Sequence, residues 1–174
     1  MFDYASCTVG SQNTGGLLRI PDQSLSIPGV VPQVSANFDT FRTWAANNGP
    51  GWHMMTNAEW AAIALWCWKN GFMPRGNTNY GKSSDSAWET GRRQDGGQPG
   101  DTNGTARTLT GSGPASWRHD NSNGGIADLN GNIWEWTPGM RVVGGEIQII
   151  ENNNAALNAT DFGATSAAWK AING

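Results

Sequence analysis

The chain is poor in several things that would fix its class at once. It has only two cysteines, Cys7 and Cys67, too few for a disulfide framework. Cys67 lies within an apolar helical pattern and reads as a buried structural thiol. Charged residues make up 14% of the chain against a usual ~25%, and the net charge is only −3. Without Lys/Arg clusters and with a pI near 5.2, nucleic acid is not an expected partner. The longest wholly apolar run, Trp60 to Trp68, is too short to cross a bilayer, so no membrane insertion is expected. No charged start followed by an apolar segment marks a signal peptide. Leu, Ile, Val and Phe fall below the ~20% that accompanies disorder, although such disorder also requires high net charge.

Ten tryptophans reverse that warning, because each ring can bury on the order of 150–250 Å². The expected core is therefore aromatic rather than aliphatic. The 174 residues make one domain the natural expectation, and 24 glycines and eight prolines make much of it loop. Ile27 to Val34 and Leu17 to Ile20 read as short extended runs. Phe38, Phe41, Trp44 and Ala45 recur at helical spacing, with Asn37 or Ser35 as N-cap and Gly49 past the end. Thr56-Asn57-Ala58-Glu59 is a capping box, Met55 and Trp60 can form a hydrophobic staple, and Gly71 supplies the C′ position. Trp60, Ile63, Ala64 and Cys67 share one face of this second helix. Leu65, Trp66 and Trp68 extend the apolar character, which predicts burial on more than one side.

Periodicity then disappears from Gly71 to Ala127. Trp88 and Trp117 are expected to pin this stretch to the core. Residues 132–137 alternate, with Trp134 and Trp136 on one face and Ile133, Glu135 and Thr137 on the other, the pattern of a strand. Arg141–Val143 and Glu146–Ile150 read as strands around a Gly144-Gly145 turn. Ser166 reads as the N-cap of a short helix reaching Ile172.

Two segments carry a resemblance. "HMMTNAEWA" (His53–Ala61) and "GNIWEW" (Gly131–Trp136) are similar to the helix opening "RLPTEAEWE" and the hallmark "GNVWEW" of the formylglycine-generating enzyme (sulfatase-modifying factor) family. The order and spacing agree over roughly residues 30–150. The strings "GPGWHMMTNAEWAAIALW", "GNTNYGK" and "GEIQII" resemble the non-enzymatic members more closely. These are the variable proteins of diversity-generating retroelements and phage tail receptor-binding proteins. The resemblance implies an α+β, C-type-lectin-like fold of two helices, a twisted, mostly antiparallel sheet and long irregular loops.

The resemblance further implies a ligand- or receptor-binding domain on a virion tail or extracellular surface. Its partner would be a cell-surface receptor, protein or glycan. The family's C-terminal "RGGSW…GFR" segment, which holds the enzyme's catalytic cysteines, is missing. A truncated or cleaved chain, or a partner chain supplying the last strands, is therefore expected, and a homo-oligomer is an alternative. A formylglycine-generating-type oxidase needs paired accessible thiolates or a thiolate-bound metal, which Cys7 and Cys67 do not match. The expected class is accordingly a binding protein, not an enzyme, with a carbohydrate-binding lectin-like module as the alternative.

Loops on a rigid scaffold are where recognition concentrates, and Tyr and Trp amid Ser, Gly and Asn suit adaptable binding. The candidate ligand-binding residues are Asn77, Asn79, Tyr80, Trp88, Trp117, Arg118 and His119. For Trp88 and Trp117 the competing reading is a loop anchor. No hydrolase motif accompanies His53 or His119, and His53, just before a helix cap, reads as structural. The resemblance also implies a structural calcium ion, held by the side chains of Asp128 and Glu135 and the carbonyls of Gly131 and Ile133. Oxygen donors of this kind are what calcium takes. A salt bridge from Glu135 to Arg118 or Arg141 is the competing arrangement, and a purely hydrogen-bonded turn closed by Asn130 or Asn132 is another.

Overall fold

The computed structural model describes residues 10–11, 27–155 and 166–172. It is α+β, with two helices, a two-stranded ribbon and a three-stranded antiparallel sheet. The ribbon pairs β1 (Gly10–Ser11) with β2 (Val31–Pro32). Cys7 and Leu17 to Ile20 lie outside the described residues.

Helix α1 spans Phe38–Ala46, and the Asn37 side chain accepts the Thr40 N–H at 2.8 Å as its N-cap. Helix α2 spans Asn57–Lys69. Its capping box is complete: Thr56 Oγ1 accepts the Glu59 N–H at 3.2 Å, and Glu59 Oε2 accepts the Thr56 N–H at 2.9 Å. At the other end Gly71, with φ +70°, donates to the Trp68 carbonyl, and Phe72 donates to the Cys67 carbonyl. Those two bonds form a Schellman motif, which satisfies carbonyls the helix leaves open.

The expectation that α2 is buried on several sides does not hold. Cys67 is its one buried residue, while Leu65, Trp66 and Trp68 stand largely in water and Trp60 is 41% exposed. The apolar run follows no single stripe, so only one narrow face can reach the core.

Long loops follow α2, as expected from residues 71–127. Their order comes from polar hubs. The Arg93 side chain is fully buried and forks onto the Asp95 carboxylate, with Nε to Oδ1 at 3.0 Å. It also donates to the carbonyls of Gln98 at 2.9 Å, Asp101 at 2.6 Å and Asn103 at 2.5 Å. One guanidinium thus closes the whole 93–103 loop. The Arg93 hydrogen bonds, joined by the backbone N–H groups of Gly97 and Thr105, hold the Asp95 carboxyl well below the usual carboxylate range.

A second hub is Glu89, which ion-pairs with Arg75 and accepts the Trp117 indole N–H at 3.0 Å. Trp117 ends a 3₁₀ turn, Ala115–Trp117, and is 1% exposed, so it is a loop anchor. Trp88 is 82% exposed and anchors nothing.

Two expectations near the C-terminus are corrected. Residues 132–137 keep the alternation, with Trp134 and Trp136 exposed and Glu135 and Thr137 half-buried, but they pair in no strand. The sheet begins later, with β3 (Met140–Val143), β4 (Glu146–Ile150) and β5 (Trp169–Ala171) in that spatial order. The expected Ser166–Ile172 helix is therefore a turn and a strand. Ser166 Oγ does accept the Ala168 N–H at 3.1 Å, a cap-like bond, but pairing with Gln148–Ile150 takes the chain onward as a strand.

Candidate functional site

The "GNTNYGK" and "DLNGNIW" segments meet through their backbones. Asn77 and Gly131 form a parallel bridge, and the Asn132 N–H donates to the Asn77 carbonyl at 2.8 Å. This approach requires glycine twice. A Cβ on Gly76 would lie 1.7 Å from the Asn130 carbonyl oxygen, and one on Gly131, at φ +79°, would lie 2.4 Å from the Asn77 oxygen.

Two side-chain amides, Asn77 buried and Asn132 half-buried, lock the junction. Asn77 Nδ2 donates to the Ala106 carbonyl at 2.7 Å, and its Oδ1 accepts the Gly81 N–H at 2.7 Å. Asn132 Oδ1 accepts the Thr108 N–H at 2.8 Å, and its Nδ2 donates to the Thr108 carbonyl at 3.2 Å. Both side chains act as two-sided splints between loops. Asn132, expected only as one of two residues that could close a hydrogen-bonded turn, instead ties its segment to the Thr108 backbone.

A cleft of about 490 Å³ opens over this junction, lined by Thr78, Asn79, Tyr80, Ala106, Ile133 and Trp134, with Asn77 in its wall. Tyr80 adopts φ +47°, a left-handed conformation that is strained for a bulky residue and is held by its surroundings. Trp134 projects wholly into water at the rim. Of the seven candidate ligand residues, three come together here: Asn79 and Tyr80 as half-buried lining, and Asn77 as the buried support.

Arg118 and His119 lie in a different depression of about 340 Å³, bordered by Pro28, Thr110 and residues 124–127. Arg118 is committed to two carbonyls, Gly125 at 2.9 Å and Gly111 at 3.0 Å. His119 Nδ1 accepts the Ile126 N–H at 2.9 Å, which puts the ring proton of a neutral imidazole on Nε2. Its ring lies 5.2 Å from that of Trp66. Trp117 is sealed below, and Trp88 belongs to neither depression.

The cation residues start at a left-handed turn, with φ +58° at Asp128, +79° at Gly131 and +65° at Asn132. Asp128 is 4% exposed, and its Oδ2 accepts the Gly111 N–H at 2.7 Å. Burial pushes its carboxyl above the usual range, with Arg118 nearby pulling the other way. Glu135 Oε1 is also buried. Carboxylate and carbonyl oxygens are the donors a hard divalent cation takes, but among the described residues no group of three or more His, Cys, Asp or Glu side chains lies together to hold one.

His53 is occupied on both ring nitrogens, Nδ1 against the Gly51 carbonyl at 3.1 Å and Nε2 against Glu59 at 3.0 Å. It braces the α2 cap. Cys67 is buried, its thiol donates to the His119 carbonyl at 3.2 Å, and burial pushes its pKa up. Such a thiol is a poor source of thiolate. No family model matches the sequence, and no curated protein matches it.

Proposed function

We propose that the chain is a ligand- or receptor-binding domain that displays the Asn79–Tyr80–Trp134 cleft on a C-type-lectin-like scaffold. The resemblance to phage tail receptor-binding and retroelement variable proteins points the same way, toward a virion tail or cell-exterior setting and a cell-surface glycan or protein. One observation carries the reading. Trp134 is held fully in water beside a cleft fixed from below by the Asn77 and Asn132 side-chain amides. An exposed indole costs solvation and contributes nothing to the core, whereas at a binding surface it offers a large, rigid, amphipathic contact at low entropic cost.

A binding role fits better than the oxidase alternative, because Cys67 is buried with a raised pKa. A glycan is the favoured ligand class. Amide and phenol groups of Asn79 and Tyr80 can exchange hydrogen bonds with hydroxyls while the Trp134 face stacks on a sugar ring. Calcium bound by Asp128, Glu135 and the Gly131 and Ile133 carbonyls would stiffen the turn that presents Ile133 and Trp134. Probing the folded chain on glycan and host-surface arrays tests the proposal. Saturable binding that disappears in Trp134→Ala is expected; binding to no array, or binding equal in the variant, overturns it.

A further inference from the structure

The depression bordered by Arg118 and residues 124–127 holds a positive charge that no carboxylate balances. The chain folds back on itself here. Arg118 bridges Ala127 in antiparallel fashion, and the His119 N–H donates to the Ile126 carbonyl at 3.0 Å. A Cβ on Gly125 would stand 1.9 Å from Asp120 Oδ1, so only glycine fits this turn. The half-buried Arg118 side chain donates through Nη1 to the Gly125 carbonyl and through Nη2 to the Gly111 carbonyl. Arginine has five N–H donors, so three remain. Arg118 makes no ion pair among the described residues.

The nearby carboxylates are bonded elsewhere. Asp128 Oδ2 accepts the Gly111 N–H at 2.7 Å, and Asp120 accepts the Ser122 N–H at 3.0 Å and the Ser122 hydroxyl at 2.8 Å. A second cation, Arg92, stands exposed at the edge. Its Nη2 lies 3.2 Å from the point that a Cβ on Gly29 would occupy, next to Pro28 of the lining, and it too forms no ion pair among the described residues. Carbonyl partners satisfy the hydrogen bonds of a guanidinium but leave its charge, and a charge drawn out of water without a counter-ion is costly. The two carbonyls also fix the guanidinium before a ligand arrives, which removes part of the ordering cost of binding.

We propose that this depression binds the carboxylate of an acidic sugar, of the hexuronate class, through Arg118. A guanidinium meets a carboxylate fork to fork, with two parallel N–H bonds. One half-buried guanidinium balances the single charge of a carboxylate, whereas a phosphate dianion would keep half of its charge. Arg92, in water at the edge, attracts the anion without holding it. The depression measures about 340 Å³, more than a carboxylate fills and within the range of small-ligand sites. Peptide groups of Gly111 and Gly125 share its wall with Pro28, Ile126 and Ala127. A sugar ring carries the matching mixture, hydroxyls at its edge and C–H groups on its faces. The site shares no lining residue with the Asn79–Tyr80–Trp134 cleft and does not rest on the reading of that cleft.

Nitrogen-edited NMR of the folded chain, titrated with sodium glucuronate at constant ionic strength, tests this. Glucose, acetate and inorganic phosphate are the comparison arms. Glucuronate should move the Arg118 Nε–H signal and the Gly125 and Ile126 amides saturably at millimolar concentration. Glucose should move none of them, and acetate and phosphate should bind about threefold more weakly or worse. Arg118→Gln should abolish the response. The wild-type Nε–H signal reads the contact directly, however well that variant folds. Trp134→Ala should bind glucuronate as wild type does, which separates this site from the cleft. No saturable shift with glucuronate, an equal response to glucose, acetate or phosphate binding as tightly as glucuronate, full affinity in folded Arg118→Gln, or lost affinity in Trp134→Ala overturns the proposal.

Discussion

Replacing Asn77 by alanine separates a splint from a ligand contact. The side chain is 6% exposed and holds the Ala106 carbonyl and the Gly81 N–H, each at 2.7 Å. Alanine removes both partners at once and leaves a buried acceptor and a donor on two different loops. Each orphaned group costs about 1–3 kcal/mol, less where water enters. The expected loss is therefore about 2–4 kcal/mol. In a chain of this size about 1 kcal/mol moves the midpoint by ~2–4 °C, so a fall of roughly 4–16 °C follows. Differential scanning calorimetry of Asn77→Ala beside Asn79→Ala reads the contrast. Asn79 is half-exposed at the cleft, and its loss should change stability by no more than about 0.5 kcal/mol. An Asn77→Ala protein that melts like wild type would refute the buried-splint account and return Asn77 to the ligand surface.

Thr56 caps α2 and also donates to Asn153 Oδ1 at 2.7 Å, so Thr56→Ala should cost about 1–2 kcal/mol, whereas half-exposed Trp60→Ala should cost less than the ~3–5 kcal/mol of a fully buried tryptophan; thermal melts read both. Arg75 holds the Glu89 carboxyl below its unfolded value, so this pair stabilises the fold above the unfolded pKa, about 4.3, and the contribution is lost as pH falls through the lower folded pKa. Glu89→Gln should flatten that part of an acid-unfolding curve. Asp128 has the opposite sign: its raised carboxyl disfavours the fold at neutral pH, and protonation on acidification relieves the cost. In chelator Asp128→Asn should melt at or above wild type. In excess calcium the wild type should gain about 2.7 kcal/mol at a hundredfold excess over Kd and the variant should not, while equal melting of wild type in calcium and chelator would remove the cation site.

The helices were legible because their signals are local. Asn37, the Thr56–Glu59 box and Gly71 act within one turn of chain, and all three do in the structure what their positions predict. The Gly144-Gly145 turn likewise fixed the β3–β4 hairpin. What failed depended on distant partners. Ser166 forms its local bond, yet pairing to β4 decides the conformation of Trp169–Ala171. Residues 132–137 alternate as a strand would, but their neighbours are the loop around Asn77 and Thr108 rather than a ladder.

Candidate site residues divide the same way. Asn77, Asn79 and Tyr80 are close in sequence and meet at one cleft, whereas Trp134 enters it only through the Asn77–Gly131 bridge. Nor could composition reveal which tryptophans are buried. Trp117 and Trp88 sit in similar polar surroundings, and it is the Glu89 carboxylate that draws one of them inside.

The most direct test of the binding proposal is a side-by-side isothermal titration of wild type, Trp134→Ala and Trp88→Ala with the ligand retained on the arrays. Both tryptophans are exposed, so neither change should move the melting point by more than a degree or two. Stacking at the cleft predicts at least a tenfold loss of affinity for Trp134→Ala, about 1.4 kcal/mol, and none for Trp88→Ala. Equal affinity in wild type and Trp134→Ala would contradict a binding site at the Asn79–Tyr80–Trp134 cleft.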